Sequence, residues 1–205
     1  MLSGFPITDE AACAAMLVRL MGGDAALFNR SLAEALSHEN PHGLSDMERM
    51  AVWVYSNTDQ RWYVSINQEL RSGSPLDDYR FFAALLNETL EKLPRHSAEV
   101  FRGVRFPDIN RIADHFIEAY DTGRELVWLA FTSSSRLIGK AFEGNVLLTI
   151  FSQNGRVLGL YAHRASEEEI LFRAGSRFIV TYVNLDADLV VVGLNEVAGT
   201  GIGGS

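Results

Sequence analysis

The sequence predicts an α+β fold, because helical patterns fill the first half of the chain and short strand patterns fill the second. Up to Pro94, apolar residues recur at intervals of three and four positions. Beyond Pro94, short runs rich in Val, Ile, Leu and aromatic residues alternate with turn residues. The 205 residues, 47% of them hydrophobic, suffice for one well-buried core in a single domain.

Five helices are predicted before Pro94, and local signals mark several of their ends. Gly22-Gly23-Asp24 separates the first two helices, and Ser45 with Glu48 forms a capping box that opens the third. Pro94 ends the fifth helix because proline lacks a backbone donor. The predicted helices cover Asp9–Met21, Ala25–Leu36, Ser45–Tyr55, Thr58–Leu70 and Leu76–Leu93.

Seven strands and one further helix are predicted after Pro94. Asn154-Gly155, between two apolar runs, is a strong hairpin signal. A helical pattern at Asp108–Tyr120 interrupts the strands, and we expect residues 194–205 to form a flexible tail. The predicted strands cover Glu99–Phe106, Glu125–Phe131, Asn145–Phe151, Arg156–Tyr161, Glu169–Phe172, Arg177–Val183 and Asp188–Val192.

Charge and cysteine content argue against several function classes. The formal net charge of −8 disfavours a general binder of nucleic acid or anionic membranes, which would need clustered Lys and Arg. Cys13 is the single cysteine, which excludes an intrachain disulfide and a cysteine metal cluster. No apolar run approaches the roughly 18 residues of a membrane span. Residues 1–10 carry acids rather than the basic start of a secretory signal, so we expect a cytosolic protein, export by another route, or a piece of a longer chain.

Two motif matches lack the surrounding secondary structure that their functions require. The run His38-Glu39-Asn40-Pro41-His42 fits the zinc-protease pattern HExxH, but Pro41 interrupts the continuous helix that would bring both histidines to one metal. Residues 199–204 fit the dinucleotide motif GxGxxG, which requires a strand before it and a helix after it. Only Ser205 follows, so we expect a flexible tail there and no metal or dinucleotide motif.

Two polar stretches stand out among the predicted strands. Arg102 lies in an apolar strand and is followed by Gly103, which allows close approach to the backbone. Its planar guanidinium suits a diphosphate or a carboxylate, although an ion pair with one of the excess acids would equally explain it. Residues 132–135 crowd hydroxyl groups at a strand exit, a pattern also typical of a turn or a helix cap.

The third polar stretch is an acidic triplet that leads into a buried strand. Period-two geometry would put Glu167 and Glu169 on one side of the chain and Glu168 on the other. Two carboxylates on one side repel each other unless a cation, a proton or a developing positive charge offsets them. A solvated acidic loop has the same composition.

Taken in order, these stretches resemble the R-S-E class of mono-ADP-ribosyltransferases, which includes bacterial toxins and vertebrate ecto-enzymes. The resemblance is carried by Arg102, by the run Phe131-Thr132-Ser133-Ser134-Ser135 and by the Glu-x-Glu of residues 167–169. Tyr63–Arg71 is similar to the Tyr-x-x-Ile-Asn-x-x-Leu-Arg helix of toxin-type catalytic domains. The chain departs at Ser134, where the family usually has threonine, and keeps the hydroxyl.

The resemblance implies one catalytic domain over residues 1–205. An N-terminal helical lobe, residues 1–94, would pack on a mixed two-sheet β-sandwich, residues 95–193, that binds NAD. Such an enzyme cleaves the bond between nicotinamide and ribose in its co-substrate NAD, without a metal, and passes ADP-ribose to a target protein. A bacterial toxin or effector of this kind would be secreted or delivered into a target cell and act in its cytoplasm. An interbacterial toxin would also imply an immunity protein as partner.

The same resemblance implies roles for five residues. Glu169 matches the catalytic glutamate that holds the ribose and stabilises its developing positive charge, and Arg102 matches the arginine that binds the NAD phosphates. Ser133 would orient that glutamate and line the nicotinamide pocket, with Ser135 buttressing the site. Gly103 would offer its backbone to the nicotinamide amide.

Glu167 is the residue that the resemblance connects with the acceptor. In the family, Glu-x-Glu goes with arginine acceptors, since a guanidinium needs a carboxylate to position it and to take its proton. Glu168 is expected to point away, toward solvent or a partner. The alternatives are an NAD glycohydrolase with water as acceptor, transfer to a non-arginine or nucleic-acid acceptor, and an inactive binding module. The acidic balance disfavours a nucleic-acid acceptor, and a local basic patch of Arg102, Arg105, Arg111 and Arg124 is the feature that leaves this alternative open.

Overall fold

The computed structural model describes residues 4–105, 121–141, 144–164, 168–185 and 189–197. Within these residues, five α-helices precede nine β-strands, which confirms the predicted α+β class. The predicted helix at Asp108–Tyr120 and the GxGxxG match at residues 199–204 lie outside the described residues. The chain divides into two compact units. The first unit comprises Met1–Pro94, Leu129–Phe131 and Leu158–Ser166, and the second comprises Arg95–Trp128, Thr132–Val157 and Glu167–Ser205.

The first unit contains the five helices, and side-chain caps set where three of them begin. The helices are α1 (Glu10–Leu20), α2 (Ala25–Ala35), α3 (Asp46–Ser56), α4 (Trp62–Arg71) and α5 (Asp77–Lys92). The Asp9 and Asp24 carboxylates accept backbone N–H groups at the starts of α1 and α2, and Ser45 with Glu48 forms the predicted capping box of α3. Among the described residues no helix by itself has the length and apolarity to cross a membrane, and only α1 with α2, bent by 115° at their break, meets those limits as a pair.

The fourth helix begins later than the sequence predicts. The Asn57 side chain accepts the backbone N–H of Asp59 at 3.0 Å and that of Gln60 at 2.9 Å. Arg61 then adopts a left-handed φ of 57°, and α4 starts at Trp62. An asparagine-centred turn therefore occupies the residues expected to form the first helical turn.

The Tyr63–Arg71 stretch, which resembles a helix of toxin-type domains, lies on α4. Its Ile66, Asn67 and Leu70 side chains are buried. The amide Nδ2 of Asn67 donates a hydrogen bond to the Tyr55 hydroxyl at 2.9 Å. These positions of the motif therefore serve packing within the first unit.

The second unit contains the strands, which form one mixed sheet. They are β1 (Arg95–His96), β2 (Glu99–Val104), β3 (Glu125–Trp128), β4 (Thr132–Ser135), β5 (Val146–Phe151), β6 (Gly155–Val157), β7 (Glu169–Phe172), β8 (Ser176–Leu185) and β9 (Val190–Glu196). Their order in the sheet is β1-β6-β7-β4-β2-β5-β9-β8-β3. The pair β5–β9 is parallel and the other pairs are antiparallel.

The sheet differs from the expected two-sheet sandwich, because hydrogen-bonded pairing connects all nine strands. Strands β1, β6, β7 and β4 form a four-strand ladder, and β2, β5, β9, β8 and β3 form a five-strand ladder. The two ladders meet between β2 and β4, where only Phe101 and Ser135 are paired. The mixed sheet is confirmed and the separation into two sheets is not.

Three strands end at residues other than those that the sequence predicts. The strand expected over Glu125–Phe131 ends at Trp128. The serine run of residues 132–135, expected at the exit of that strand, forms the separate strand β4, because pairing with β7 outweighs the local preference of serine for turns. The strand expected over Arg156–Tyr161 ends at Val157 and is followed by a short 3₁₀ helix. Residues 194–196, expected in a flexible tail, complete β9.

A hydrophobic core holds the sheet unit together, and residues from both ladders contribute to it. The buried members are Val100, Val146, Leu148, Ile150, Ile170, Phe172, Phe178, Val180, Val190, Val192 and Leu194. Because Ile170 and Phe172 lie in this core, one face of β7 is committed to it. The other face of β7 carries Glu169.

A buried carboxylate ties the end of β9 to the turn between β5 and β6. Glu196 is only 4% exposed, and its Oε2 accepts the backbone N–H of Gln153 at 2.7 Å and that of Asn154 at 2.6 Å. In return, Nε2 of Gln153 donates to the Glu196 carbonyl at 2.8 Å. The hairpin predicted at Asn154-Gly155 is wrong, because β5 pairs with β2 and β9 whereas β6 pairs with β1 and β7. The residues between β5 and β6 form a turn that joins the two ladders, and a side chain from β9 holds that turn.

Replacing Glu196 by alanine is expected to lower the free energy of unfolding by about 2–3 kcal/mol, because two turn N–H groups lose a charged acceptor. Urea denaturation followed by circular dichroism measures the change. Asn195→Ala, on the exposed side of the same strand, is the matched control and is expected to have little effect. Equal losses in the two variants would contradict a specific role for the Glu196 carboxylate.

Candidate active site

Strands β4 and β7 bring the serine run beside the glutamate that opens β7. Ser135 lies directly opposite Glu169, and Ser133 lies opposite Leu171. Residues opposite each other on antiparallel strands project from the same face, and diagonal neighbours are about 7–8 Å apart. Ser133, Ser135 and Glu169 therefore share one face of the sheet.

The three serines of β4 lie in different surroundings. Ser135 is buried, and its Oγ accepts the backbone N–H of Leu137 at 3.1 Å. Ser133 is half-buried, as is Glu169. Ser134 alternates to the opposite face, where its buried Oγ has no hydrogen-bond partner among the described residues.

Arg102 reaches the serine run from the neighbouring strand. Its Nη1 donates a hydrogen bond of 2.5 Å to the Ser133 carbonyl, close to the single pair that joins β2 to β4. Gly103 follows on β2, opposite Leu147 of β5. Arg102, Ser133 and Glu169 therefore lie on the adjoining strands β2, β4 and β7, and Phe101 is the residue of β2 that lies opposite Ser135.

Strand β7 begins at the last residue of the Glu-x-Glu motif. Glu169 is the first residue of the strand, whereas Glu168 adopts a left-handed φ of 51°. A left-handed residue other than glycine costs on the order of 1–3 kcal/mol unless its surroundings compensate. Strand alternation therefore does not extend from Glu169 back through the motif, and Glu167 lies outside the described residues.

Glu168 forms an ion pair that the sequence analysis missed. Its Oε2 lies 3.2 Å from Nη2 of Arg136, the residue that follows β4. We expected Glu168 to point toward solvent or a partner, and the structure instead pairs it across the two strands. The strand register is what indicates this pair, because the pairing of Ser135 with Glu169, continued by one residue, places Arg136 opposite Glu168.

His96 on β1 is a second residue that the sequence analysis missed. Burial lowers the pKa of its imidazole, and the positive charge of Arg136 lowers the pKa further, while a hydrogen bond with the Glu99 backbone acts in the opposite direction. Its buried Nε2 has no hydrogen-bond partner among the described residues. The ring is therefore expected to stay neutral at neutral pH.

The HExxH match occupies a loop after α2. The backbone N–H of His42 donates to the Tyr161 hydroxyl at 3.1 Å, and that hydroxyl donates to Oδ1 of Asn40 at 3.0 Å. Within the described part of the chain, no group of three or more His, Cys, Asp or Glu side chains is arranged to hold a metal ion.

Comparison with known proteins identifies the family. A family model described as "NAD:arginine ADP-ribosyltransferase" matches residues 23–201. The chain belongs to this family. The assignment confirms the predicted enzyme class, NAD-dependent arginine ADP-ribosyltransferases, and NAD as the co-substrate of that class.

Relatives and solved structures agree with the family and the fold. The putative NAD(+)--arginine ADP-ribosyltransferase Mav of Mycobacterium avium (strain 104) is 32% identical over 161 residues, which are 76% of this chain. The chain spans only 18% of the length of that relative. Exoenzyme S of Pseudomonas aeruginosa, solved with human 14-3-3 protein beta and carba-NAD, superposes with a TM-score of 0.70 at 24% identity over 95% of this chain and 92% of its own.

A type III effector has the same fold. XopAI of Xanthomonas axonopodis pv. citri superposes with a TM-score of 0.65 at 20% identity, over 83% of this chain and 75% of its own. At this identity the likeness shows the ADP-ribosyltransferase fold alone. It agrees with the helices-then-sheet order of the present chain.

The lowered pKa of His96 predicts a loss of stability in acid. The pKa in the folded state lies below the ordinary 6.5, so as pH falls through 6.5 the unfolded chain takes up a proton that the folded chain resists. The free energy of unfolding is expected to decrease over this interval. Urea denaturation at a series of pH values should show a smaller decrease for His96→Asn.

His38→Asn, at an exposed histidine, is the control and should leave the pH dependence unchanged. Arg136→Gln should raise the pKa of His96, as read from its ring protons by NMR, because a positive charge is removed. A His96 ring that titrates above 6.5 in the wild-type protein would contradict this account of burial and charge.

Proposed function

We propose that the chain is the catalytic domain of a mono-ADP-ribosyltransferase that cleaves NAD between nicotinamide and ribose and transfers ADP-ribose to an arginine of a target protein. The observation that supports this best is the shared face of Ser133, Ser135 and Glu169, beside the Arg102 guanidinium on the next strand. Both compact units belong to this domain, since the family match over residues 23–201 includes parts of each.

Arg102 holds the NAD diphosphate in this proposal. Its fork of N–H donors matches phosphate oxygens, and its bond to the Ser133 carbonyl limits the directions that the guanidinium can adopt. Ser133 lines the nicotinamide pocket, and the backbone of Gly103 hydrogen-bonds the nicotinamide amide. The polar groups of β2 and β4 thus suit the diphosphate and the nicotinamide of this dinucleotide substrate.

Glu169 stabilises the charge that develops when the glycosidic bond breaks. The electron pair of the bond between the ribose anomeric carbon and nitrogen leaves with nicotinamide, which becomes neutral, and positive charge appears on the ribose. A carboxylate beside the ribose is worth more in this oxocarbenium-like transition state than in the ground state. Ser135, opposite Glu169, buttresses the carboxylate from the neighbouring strand.

Glu167 completes the transfer to arginine. A guanidinium nitrogen of the acceptor forms the new bond to the anomeric carbon, and its proton passes to the Glu167 carboxylate. Because a guanidinium in water is always protonated, an adjacent carboxylate both attracts it and makes it nucleophilic. Water in the same place would produce free ADP-ribose, which is the glycohydrolase alternative.

The biological setting is also part of the proposal. The chain acts as the transferase domain of a bacterial toxin or effector that is delivered into a target cell and works in its cytoplasm on a protein substrate. The fold shared with a type III effector supports this setting. If the toxin acts between bacteria, an immunity protein in the producing cell is a partner.

Replacing Glu169 by alanine or aspartate tests the proposal directly. We expect nicotinamide release and label transfer to fall by about 10²–10³-fold, the usual effect of removing one preorganised group that stabilises transition-state charge. Incubation with labelled NAD and a cell lysate measures both, and circular dichroism checks the fold. Glu125→Gln, an exposed carboxylate on β3, is the control and should keep wild-type activity. A folded Glu169→Ala protein with full activity would reject the assignment.

Replacing Glu167 by alanine separates the acceptor step from NAD cleavage. Arginine labelling should fall by about 10²-fold or more, the scale of a lost general base, while NAD hydrolysis stays within a few-fold of wild type. Release of the label by neutral hydroxylamine identifies the arginine adducts. Equal losses of transfer and hydrolysis would argue against an acceptor role for Glu167.

A further inference from the structure

The face of the sheet that carries Glu169 continues in register from one ladder onto the other. Residues that lie opposite each other on neighbouring strands project from the same face. Six successive strands place one residue each in a single row on this face. From β7 to β8, the row consists of Glu169, Ser135, Phe101, Thr149, Gly193 and Tyr182.

Tyr182, at the far end of this row, has a fixed orientation on the surface. The register of β8 against β9 shifts between Val180 and Tyr182, which is the mark of a β-bulge. The Tyr182 ring lies over Gly193, where a Cβ atom would come within 2.2 Å of the ring atom Cε1. A hydrogen bond of 2.6 Å joins its hydroxyl to the Thr149 hydroxyl, yet 40% of the side chain stays exposed. The ring is therefore ordered before a partner binds, which lowers the entropy cost of binding.

Two further exposed apolar side chains lie beside Tyr182 on the same face. Phe151 of β5 and Ile179 of β8 both lie opposite Asn195 of β9, in the row next to that of Gly193. Their side chains are 49% and 38% exposed. We call Phe151, Ile179 and Tyr182 the apolar platform. Single exposed apolar residues are ordinary, whereas a group of them on one face is typical of a surface that binds another molecule.

The separation between Glu169 and the apolar platform fits the footprint of one docked protein. Neighbouring strands lie about 4.8 Å apart, so the five steps from Glu169 to Tyr182 span about 24 Å along the sheet. The three steps to the strand of Phe151 span about 14 Å. A standard interface covers about 800 Å² on each partner, a patch roughly 30 Å across. A protein that presents an arginine to Glu169 is therefore large enough to contact the platform at the same time.

Charge favours an acceptor protein over a second copy of this chain as the occupant. The exposed Glu99 lies opposite Phe151 at the edge of the apolar platform, and the whole chain has a formal net charge of −8. Complementary charges at the rim of an interface attract and orient a basic partner, whereas like charges oppose association. A protein that offers an arginine next to other basic residues meets this requirement, and a second acidic chain does not.

We propose that the apolar platform is a docking surface for the acceptor protein, outside the catalytic site and on the same face of the sheet as Glu169. The inference rests on the proposed function, because the partner is the protein that accepts ADP-ribose. Docking at the platform raises the effective concentration of the acceptor arginine at the site and leaves NAD cleavage unchanged. A small guanidinium compound cannot reach the platform from the site, so it gains nothing from docking.

The test compares two kinds of acceptor with the whole chain and labelled NAD: agmatine, a small guanidinium compound, and the proteins of a cell lysate. The double variant Phe151→Thr with Tyr182→Thr removes two aromatic anchors and is expected to lower the initial rate of protein labelling by about tenfold. Agmatine labelling and nicotinamide release should stay within about twofold of wild type, because the site is unchanged. Tyr182→Phe keeps the ring but loses the bond to Thr149, so it should lower protein labelling by only about twofold.

Two controls separate docking from folding and from a general loss of apolar surface. Leu76→Thr makes a similar change at a leucine of the first unit that is 65% exposed, and it should leave the labelling of both kinds of acceptor unchanged. Threonine suits an exposed strand position, so the double variant should still unfold cooperatively when it is heated and followed by circular dichroism. Its wild-type rate with agmatine serves as the check that the catalytic site is intact.

The outcomes distinguish this inference from the proposed function. Protein labelling at the wild-type rate in the double variant would overturn the docking surface and leave the transferase standing. Equal losses with agmatine and with lysate proteins would also overturn it, since the platform would then support the site itself. A wild-type dimer that the double variant abolishes, as measured by analytical ultracentrifugation, would assign the platform to a second copy and overturn the inference. A wild-type protein that cleaves no NAD, or that never labels a guanidinium, would overturn the proposed function and this inference with it.

Discussion

The antiparallel register of β4 against β7 is the constraint on which the other features of the candidate site depend. Ile170 and Phe172 lie in the core of the sheet unit, and a slip of one residue would exchange them with the face that carries Glu169. Burial of two apolar side chains therefore positions the carboxylate opposite Ser135. The polar site gets its geometry from the hydrophobic core beneath it.

A second constraint acts where the two ladders meet. With Phe101 and Ser135 as the only backbone pair between β2 and β4, the sheet has little hydrogen bonding at this position. The Arg102 side chain adds a bond to the Ser133 carbonyl there. One arginine thus contributes to the junction of the ladders and, in the proposed mechanism, to the binding of the diphosphate. A substitution at Arg102 would affect both contributions, because loss of the bond to the Ser133 carbonyl would also disturb strand β4.

Local signals allowed the sequence to predict much of the fold, and non-local pairing accounts for what it missed. The capping box of Ser45 and the apolar run Glu169–Phe172 are contained within a few residues, and both appear where expected. Strand β4 was missed because its serines favour turns unless a partner strand supplies hydrogen bonds. The single bridge between the ladders and the Arg136–Glu168 pair likewise depend on residues far apart in the chain. The motif residues themselves could be found from order and spacing, but their relative geometry required the register.

The middle residue of the Glu-x-Glu motif, Glu168, has a backbone conformation that the motif pattern does not specify. The other non-glycine residue with positive φ in the described part of the chain, Arg61, ends a turn just before α4, where a left-handed residue only redirects the chain between elements. Glu168 has the same backbone conformation next to the strand that carries the proposed catalytic carboxylate. Such a conformation persists only where the surroundings favour it, and here the surroundings are the β4–β7 pairing and a guanidinium from the end of β4.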